Sequence, residues 1–202
     1  MRLGRILTAL APAEPEAHGL IALLGIQASR TRALLGPGGE PVLLAEQDRA
    51  RWDLLLIGRG LRALELAERL RGPLGSYGLQ AAIAACHARA RSAEETDWVR
   101  IAALYDALAQ LAPSPIVELN RAVALGMAFG PEAGLELLDQ IAEEPSLREY
   151  HLLPSVRGDL LAKLGRHAEA TVEITRAVSL AANARERELL LTRLVASRQS
   201  GA

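Results

Sequence analysis

HLLPSVRGDLLAKLGRHAEATVEITRAVSLAA, residues 151–182, is the stretch whose reading decides the fold. Apolar residues recur at three- and four-residue spacing on both sides of Gly165, the mark of two amphipathic helices, expected over 153–164 and 166–180. So short a link makes the two helices antiparallel neighbours. Working outward, the same punctuation returns. Helices are expected over 2–10, 16–34, from 43 or 49 to 71, and then over 76–90, 97–111, 115–129, 131–144 and 183–196. Pro115 and Pro131 open two of them in the first turn, where a missing N–H costs nothing. Ser92-x-x-Glu95 has the form of a capping box. In the second helix Leu20, Leu23, Leu24 and Gln27 mark the expected buried side. Gly36-Pro37-Gly38-Gly39 is the clearest loop and the place for a hinge.

The 151–182 stretch resembles a tetratricopeptide repeat. In that frame Gly158 lets the helices approach, Leu161 packs between them and Gly165 makes the turn. Ala170 and Ala177 take the small positions, and Ile174 the large apolar one. The preceding unit, 114–145, fits the frame with Arg121 in the glycine place, Ala133 at the small position and Leu137 at the large one. Upstream of 112 the units lengthen into plain helical hairpins. The resemblance implies an all-α fold, a right-handed superhelical stack of antiparallel helix hairpins with a concave face for a partner. The expected organisation is a single helical-repeat domain over 1–202. Its parts are N-terminal helices to 35, a Gly/Pro loop over 36–42, longer hairpins over 43–112, two repeat-like units over 113–182 and a capping helix over 183–202.

Composition points the same way. Half the residues are hydrophobic but only 3% are aromatic, and Ala and Leu supply most of that mass, which suits close helix packing rather than a β-sandwich. The net charge is -1, with acids and bases mixed along the chain, so the basic field that nucleic acid requires is missing and direct nucleic-acid binding is not expected. Lys163 is the only lysine, and no phosphate-binding P-loop motif occurs. One cysteine, Cys86, fits a reducing cytoplasm, and no apolar run is long enough for a membrane span. Four scattered histidines without a second cysteine offer no metal set, and no cofactor is expected.

The candidate partner-binding residues are polar or aromatic groups that interrupt this helical pattern. Glu46-Gln-Asp-Arg-Ala-Arg-Trp-Asp53 gathers Asp48, Arg49, Arg51 and Trp52, residue types that dominate interface hot spots; the alternative is a helix start with Trp52 in the core. Gln80 and His87, seven residues apart, share one face of a small-residue helix, with His87 read first as a hydrogen-bonded packing residue. Cys86 beside His87 does not make a dyad, because adjacent helical side chains point about 100° apart. Asp97 or Thr96 caps a helix beginning within an acidic cluster, and Trp98 and Tyr105 share its expected buried stripe. Asn120 and Arg121 stand inside an apolar helix, where Arg121 pairs with an acid such as Asp97 or Asp106 or reaches a ligand's carboxylate. No catalytic residue is nominated.

Five motifs in order, EQDRARWD, QAAIAACHA, TDW, ALYDALAQLAPSP and VELNRAVA, resemble the C-terminal extension of a group of bacterial extracytoplasmic-function sigma factors that carry an added tetratricopeptide-like domain. The resemblance spans essentially the whole chain. It implies a cytoplasmic transcription-initiation factor whose extension is non-catalytic and modulates activity by contacting protein, namely the N-terminal sigma regions or core RNA polymerase. The sigma regions for promoter and polymerase would precede residue 1, so the chain reads as an excised domain or a truncated gene product. The competing readings are a free-standing adaptor of the same architecture that binds an unrelated peptide or protein and, further off, a hydrolase-type enzyme using His87 with Cys86.

Overall fold

A computed structural model describes residues 2–70 and 72–200. Among these residues the chain is all-helical, with ten α-helices packed chiefly as sequence-adjacent pairs and no strand. The chain divides into two compact units, Met1–Ala112 and Pro113–Ala202.

The first unit holds α1 (Arg2–Leu10), α2 (Pro15–Ser29), α3 (Leu54–Arg69), α4 (Ser76–Arg89) and α5 (Trp98–Leu111). The helix α2 lies at its centre, packed along both α3 and α4, while α4 also pairs with α5. Glycine makes this double contact possible. A Cβ at Gly19 would stand 2.7 Å from the Gly78 amide nitrogen of α4, and one at Gly60 would meet Ile26 Cγ1 at 2.7 Å. Ala22, Ile26, Leu64, Ala81 and Ala85 fill the space between. The buried side of α2 therefore differs from the leucine stripe expected. Ala22, Gly25, Ile26 and Ser29 face inward, and Leu24 and Gln27 are exposed. Two neighbours brought close select small residues, so leucine spacing misreports the buried face. Glu16 adds an electrostatic tie. Its carboxylate accepts from the Tyr77 and Gly78 amides, both at 2.9 Å, at the otherwise unsatisfied start of α4.

Two helix boundaries depart from the sequence reading. The helix expected to run to 34 ends at Ser29, followed by a short 3-10 turn over Thr31–Ala33. The helix expected from 43 or 49 begins at Leu54, because Asp53 caps it by accepting from the Leu55 and Leu56 amides. The segment before it instead forms the 3-10 turns Leu44–Glu46 and Arg49–Arg51. Ser92 and Glu95 do exchange box-like hydrogen bonds, yet with Glu95 reaching the Arg91 amide, and the cap of α5 is Asp97. The glycine-rich loop is closed on itself by Gly36 N–H to Glu40 O at 2.9 Å and Val42 N–H to Leu34 O at 3.0 Å.

The second unit holds α6 (Pro115–Phe129), α7 (Pro131–Ile141), α8 (Leu152–Lys163), α9 (His167–Leu180) and α10 (Ala184–Ser200). In the hairpin of α8 and α9, Gly165 turns with φ +73°, a conformation costly for a side chain. Ala170, Ile174 and Ala177 are fully buried, and Gly158 lies against Ile174 and the Ala170 carbonyl. The hairpin of α6 and α7 repeats these contacts one residue later than expected. Ala122, not Arg121, occupies the contact position; Gly134 meets the Ala122 carbonyl, and Leu138 is fully buried. Ala122, Gly134 and Leu138 thus stand at one constant offset from Gly158, Ala170 and Ile174. With this register Arg121 no longer replaces a glycine; it lies beside the contact, half-buried. Leu135, Leu147, Leu153 and Leu160 join the two hairpins in one core.

Candidate functional site

In the first unit the polar groups that interrupt helical patterning converge on one cleft of roughly 150 Å³. From α2 come Leu23 and Gln27, and from its C-terminal cap Arg30. Gln80, Ile83, Ala84 and His87 come from α4, Tyr105 from α5, and Leu44 from the turn that covers one end. The spacing expected for Gln80 and His87 puts both on the cleft wall.

The Arg49–Trp52 segment packs beside this site without lining it. Arg49 extends across the C-terminal end of α4 and donates to the His87 and Ala90 carbonyls, the latter at 2.9 Å. These are carbonyls that a helix end leaves unsatisfied, and a cation is favoured beside them. Its guanidinium also lies 5.0 Å from the Trp52 ring centre, with Arg30 on the same ring at 5.9 Å. Trp52 itself is buried with Ala33 and Ile57, so it belongs to the core and is not an exposed docking residue. Arg51 donates to the Leu35 carbonyl at 3.1 Å, and Asp48 accepts from the Ala50 amide at 2.9 Å. The charged octet is thus a clasp that ties a loop to α4.

The electrostatics of the cleft follow from burial. Arg30 is half-buried, and burial pulls its guanidinium below its ordinary range; among the described residues no carboxylate forms an ion pair with it, and its Nη2 donates to the Gln27 side-chain oxygen. Burial, with the Arg30 and Arg49 charges nearby, pushes the His87 imidazole from 6.5 down to about 4. It is neutral at pH 7 and packs edge-on to Trp98, ring centres 5.2 Å apart. Burial raises the Tyr105 phenol, which stays protonated and able to donate. The cleft therefore presents hydrogen-bond donors and positive charge between apolar walls.

Other nominated residues lie elsewhere. Asp97 caps α5 by accepting from the Arg100 amide at 2.9 Å and edges a separate hollow with Cys86, Arg89, Glu95 and Arg100. Cys86 and His87 thus open to different hollows, and burial raises the Cys86 thiol. Trp98 and Tyr105 are half-buried, while Ile101, Ala102 and Leu108 form the buried stripe of α5. Asn120 and Arg121 belong to α6 in the second unit, where Asn120 is exposed and Arg121 Nε donates to Glu118 of its own helix at 2.8 Å. Gln27, expected on a buried helix side, and Arg30 line the cleft without having been nominated for it. Their signal was available: two polar residues three apart on one helix face, as with Gln80 and His87. Among the described residues no group of three or more His, Cys, Asp or Glu side chains is placed to hold a metal, and no helix is long and apolar enough to cross a membrane.

Residues 1–68 match a family of unknown function (DUF6596). This segment supplies α1, α2, the clasp and most of α3. The chain is also similar to an uncharacterized protein, R00370, of Rhizobium meliloti (strain 1021), at 48% identity over 186 residues. The match covers 92% of this chain but 43% of that relative, so the chain spans less than half the length of the curated protein it matches. No solved structure matches the chain.

Proposed function

We propose that this chain is a non-catalytic protein-interaction domain, the regulatory extension of an extracytoplasmic-function sigma factor, with its helix pairs stacked as a tetratricopeptide-like superhelix. The observation that carries the interaction reading is the cleft between α2, α4 and α5. Its donors, Arg30, Gln80 and Tyr105, sit between apolar walls and are held by a clasp that spends Arg49 and Trp52 on rigidity. A small, preformed recess with a few polar groups suits recognition of a partner's side chain. The neighbouring Cys86 and His87 face apart, which favours binding over nucleophilic chemistry. The constant offset between the two hairpins of the second unit supports the repeat architecture. The sigma assignment rests on the five ordered sequence motifs. It is supported by the longer relative, in which the matching region is one part of a larger protein.

The test is a calorimetric titration of the purified chain with the non-matching portion of the Rhizobium meliloti relative, produced as a separate polypeptide. Saturable binding that weakens on Gln80→Glu substitution is the expected result. Absence of binding to that portion, with core RNA polymerase bound instead, would retain an interaction domain but move the contact to polymerase. Binding to neither would remove the sigma reading and leave a free-standing adaptor.

A further inference from the structure

Arg30 is a half-buried cation with which, among the described residues, no carboxylate forms an ion pair. A guanidinium carries five N–H donors, and half-burial has stripped part of its water. Here one donor goes to the neutral amide oxygen of Gln27, and the Trp52 ring borders the group at 5.9 Å. Three other half-buried arginines meet acids. Arg157 lies 2.6 Å from Asp139, Arg121 is paired with Glu118, and Arg193 is paired with Asp159. Around Arg30 the remaining cleft groups are neutral: Gln27, Gln80, the His87 imidazole and the protonated Tyr105 phenol. Arg49, the second cation near His87, is held by the α4 carbonyls and lies within the field of Glu94 and Glu95.

We infer that this cleft is a carboxylate subsite: it seats one Glu or Asp side chain of the bound protein partner, with Arg30 as the fork-shaped donor and Gln80 and Tyr105 as flanking donors. This inference rests on the interaction reading above and names the chemistry that the surface selects. A carboxylate matches the planar guanidinium with two parallel hydrogen bonds, which a backbone carbonyl or an amide cannot do with charge. The volume, roughly 150 Å³, admits one side chain and not a helix. Leu23, Leu44 and Ile83 supply apolar walls for the methylene stem of that side chain. Occupation would leave its mark on His87, whose imidazole is destabilised in its charged form partly by Arg30. A bound carboxylate offsets that charge and raises the His87 titration point.

The experiment uses the full chain and N-acetylglutamate amide as probe, with N-acetylglutamine amide as the neutral control and inorganic phosphate as a second anion. Heteronuclear NMR follows the Arg30 side-chain N–H, the Gln80 amide and the His87 ring. Saturable shifts with the glutamate amide alone, and an upward move of the His87 midpoint, are expected. Arg30→Gln should weaken binding by about tenfold or more, the loss of one charged hydrogen-bond pair. Gln80→Glu, at an exposed position on the opposite wall, should give a comparable loss while leaving Arg30 and its packing in place. Equal shifts from the glutamine amide, binding that survives both substitutions, or tighter binding of phosphate would overturn the carboxylate assignment. These outcomes are independent of the sigma partner, which the calorimetric titration tests separately.

Discussion

The α2–α3–α4 assembly and the α8–α9 hairpin both bring helices close through glycine, but against different obstacles. At Gly19 and Gly25 the facing atoms are backbone: the amide and Cα of Gly78, and the Cα of Gly60. At Gly158 the nearest atom is Ile174 Cγ1, a side-chain branch carbon, with the Ala170 carbonyl at 3.3 Å. Backbone contact lets α2 serve two neighbours at once and leaves room for a long loop to arch over their ends. The resulting cleft collects polar groups from several helices. The hairpin, by contrast, closes on a side-chain core with a short turn at Gly165, giving a module that repeats and seals. The α2–α3 contact at Gly60, which meets Ile26 Cγ1 at 2.7 Å, matches the hairpin contact at Gly158, so the backbone-to-backbone approach at Gly19 is what sets the α2–α4 contact apart.

The largest effect is expected at the backbone contact of Gly19. Gly19→Ala forces a methyl group against backbone that has no rotamer to change, and should destabilise the first unit by about 3 kcal/mol or more. Gly158→Ala meets the Ile174 Cγ1, which yields by a small shift of that side chain rather than of the facing backbone, and gains helix propensity. A net loss of about 1 kcal/mol or less is expected. Denaturant unfolding of both variants measures the contrast, and equal losses would remove the distinction between the two kinds of contact.

Next in size is the acid response of the first unit. His87 titrates at about 4 in the fold against 6.5 as the ordinary value. Between those values the unfolded chain binds the extra proton, so stability rises with pH across the window and is lost as pH falls from 6.5 toward 4. The stability lost once the pH lies below both values is up to about 3 kcal/mol. Removing the ring charge by His87→Gln should flatten the stability-versus-pH curve over this range relative to the parent. An unchanged curve would mean that His87 does not sit in the desolvated, cationic surroundings described.

The clasp should matter less than the glycine contacts. Arg49→Gln loses the charged hydrogen bonds to the His87 and Ala90 carbonyls, at a cost of about 1–2 kcal/mol. It should also alter Trp52 fluorescence, since the Arg49 guanidinium lies 5.0 Å from that ring. A fluorescence change without loss of stability would show the loop docking through Trp52 alone. The smallest effect is expected at Glu16→Gln, which keeps an acceptor at the start of α4 but gives up its charge, for about 0.5–1 kcal/mol. Amide hydrogen exchange at Tyr77 and Gly78 is the local readout.

Much of this architecture was legible because its signals are local. Pro115, Pro131 and Gly165 punctuate helices through backbone chemistry that acts within a turn, and the α8–α9 hairpin follows from spacing alone. The register of α6 and α7 was missed by one residue, since Arg121 and Ala122 are adjacent and only the contact with Gly134 selects between them. The buried side of α2 was misread for a related reason: leucine usually marks burial, but a helix held between two others buries Ala22 and Gly25 instead. Trp52 was legible as a core residue in one of the two readings of its segment, whereas the role of Arg49 in the clasp was not, because His87 and Ala90 lie far along the chain.

The sequence by itself determined an all-helical chain, the position of most helices, the turn and small-residue contacts of α8 and α9, and the shared face of Gln80 and His87. Each of these depends on neighbours within a few residues. Only the tertiary structure decided that α2 lies between α3 and α4, that Arg49 is bound to a helix end, and that Arg30 lines one cleft with His87 and, among the described residues, forms no ion pair with an acid. Those features depend on which distant surfaces meet and on how much water they exclude, and a one-dimensional pattern of polar and apolar residues carries neither.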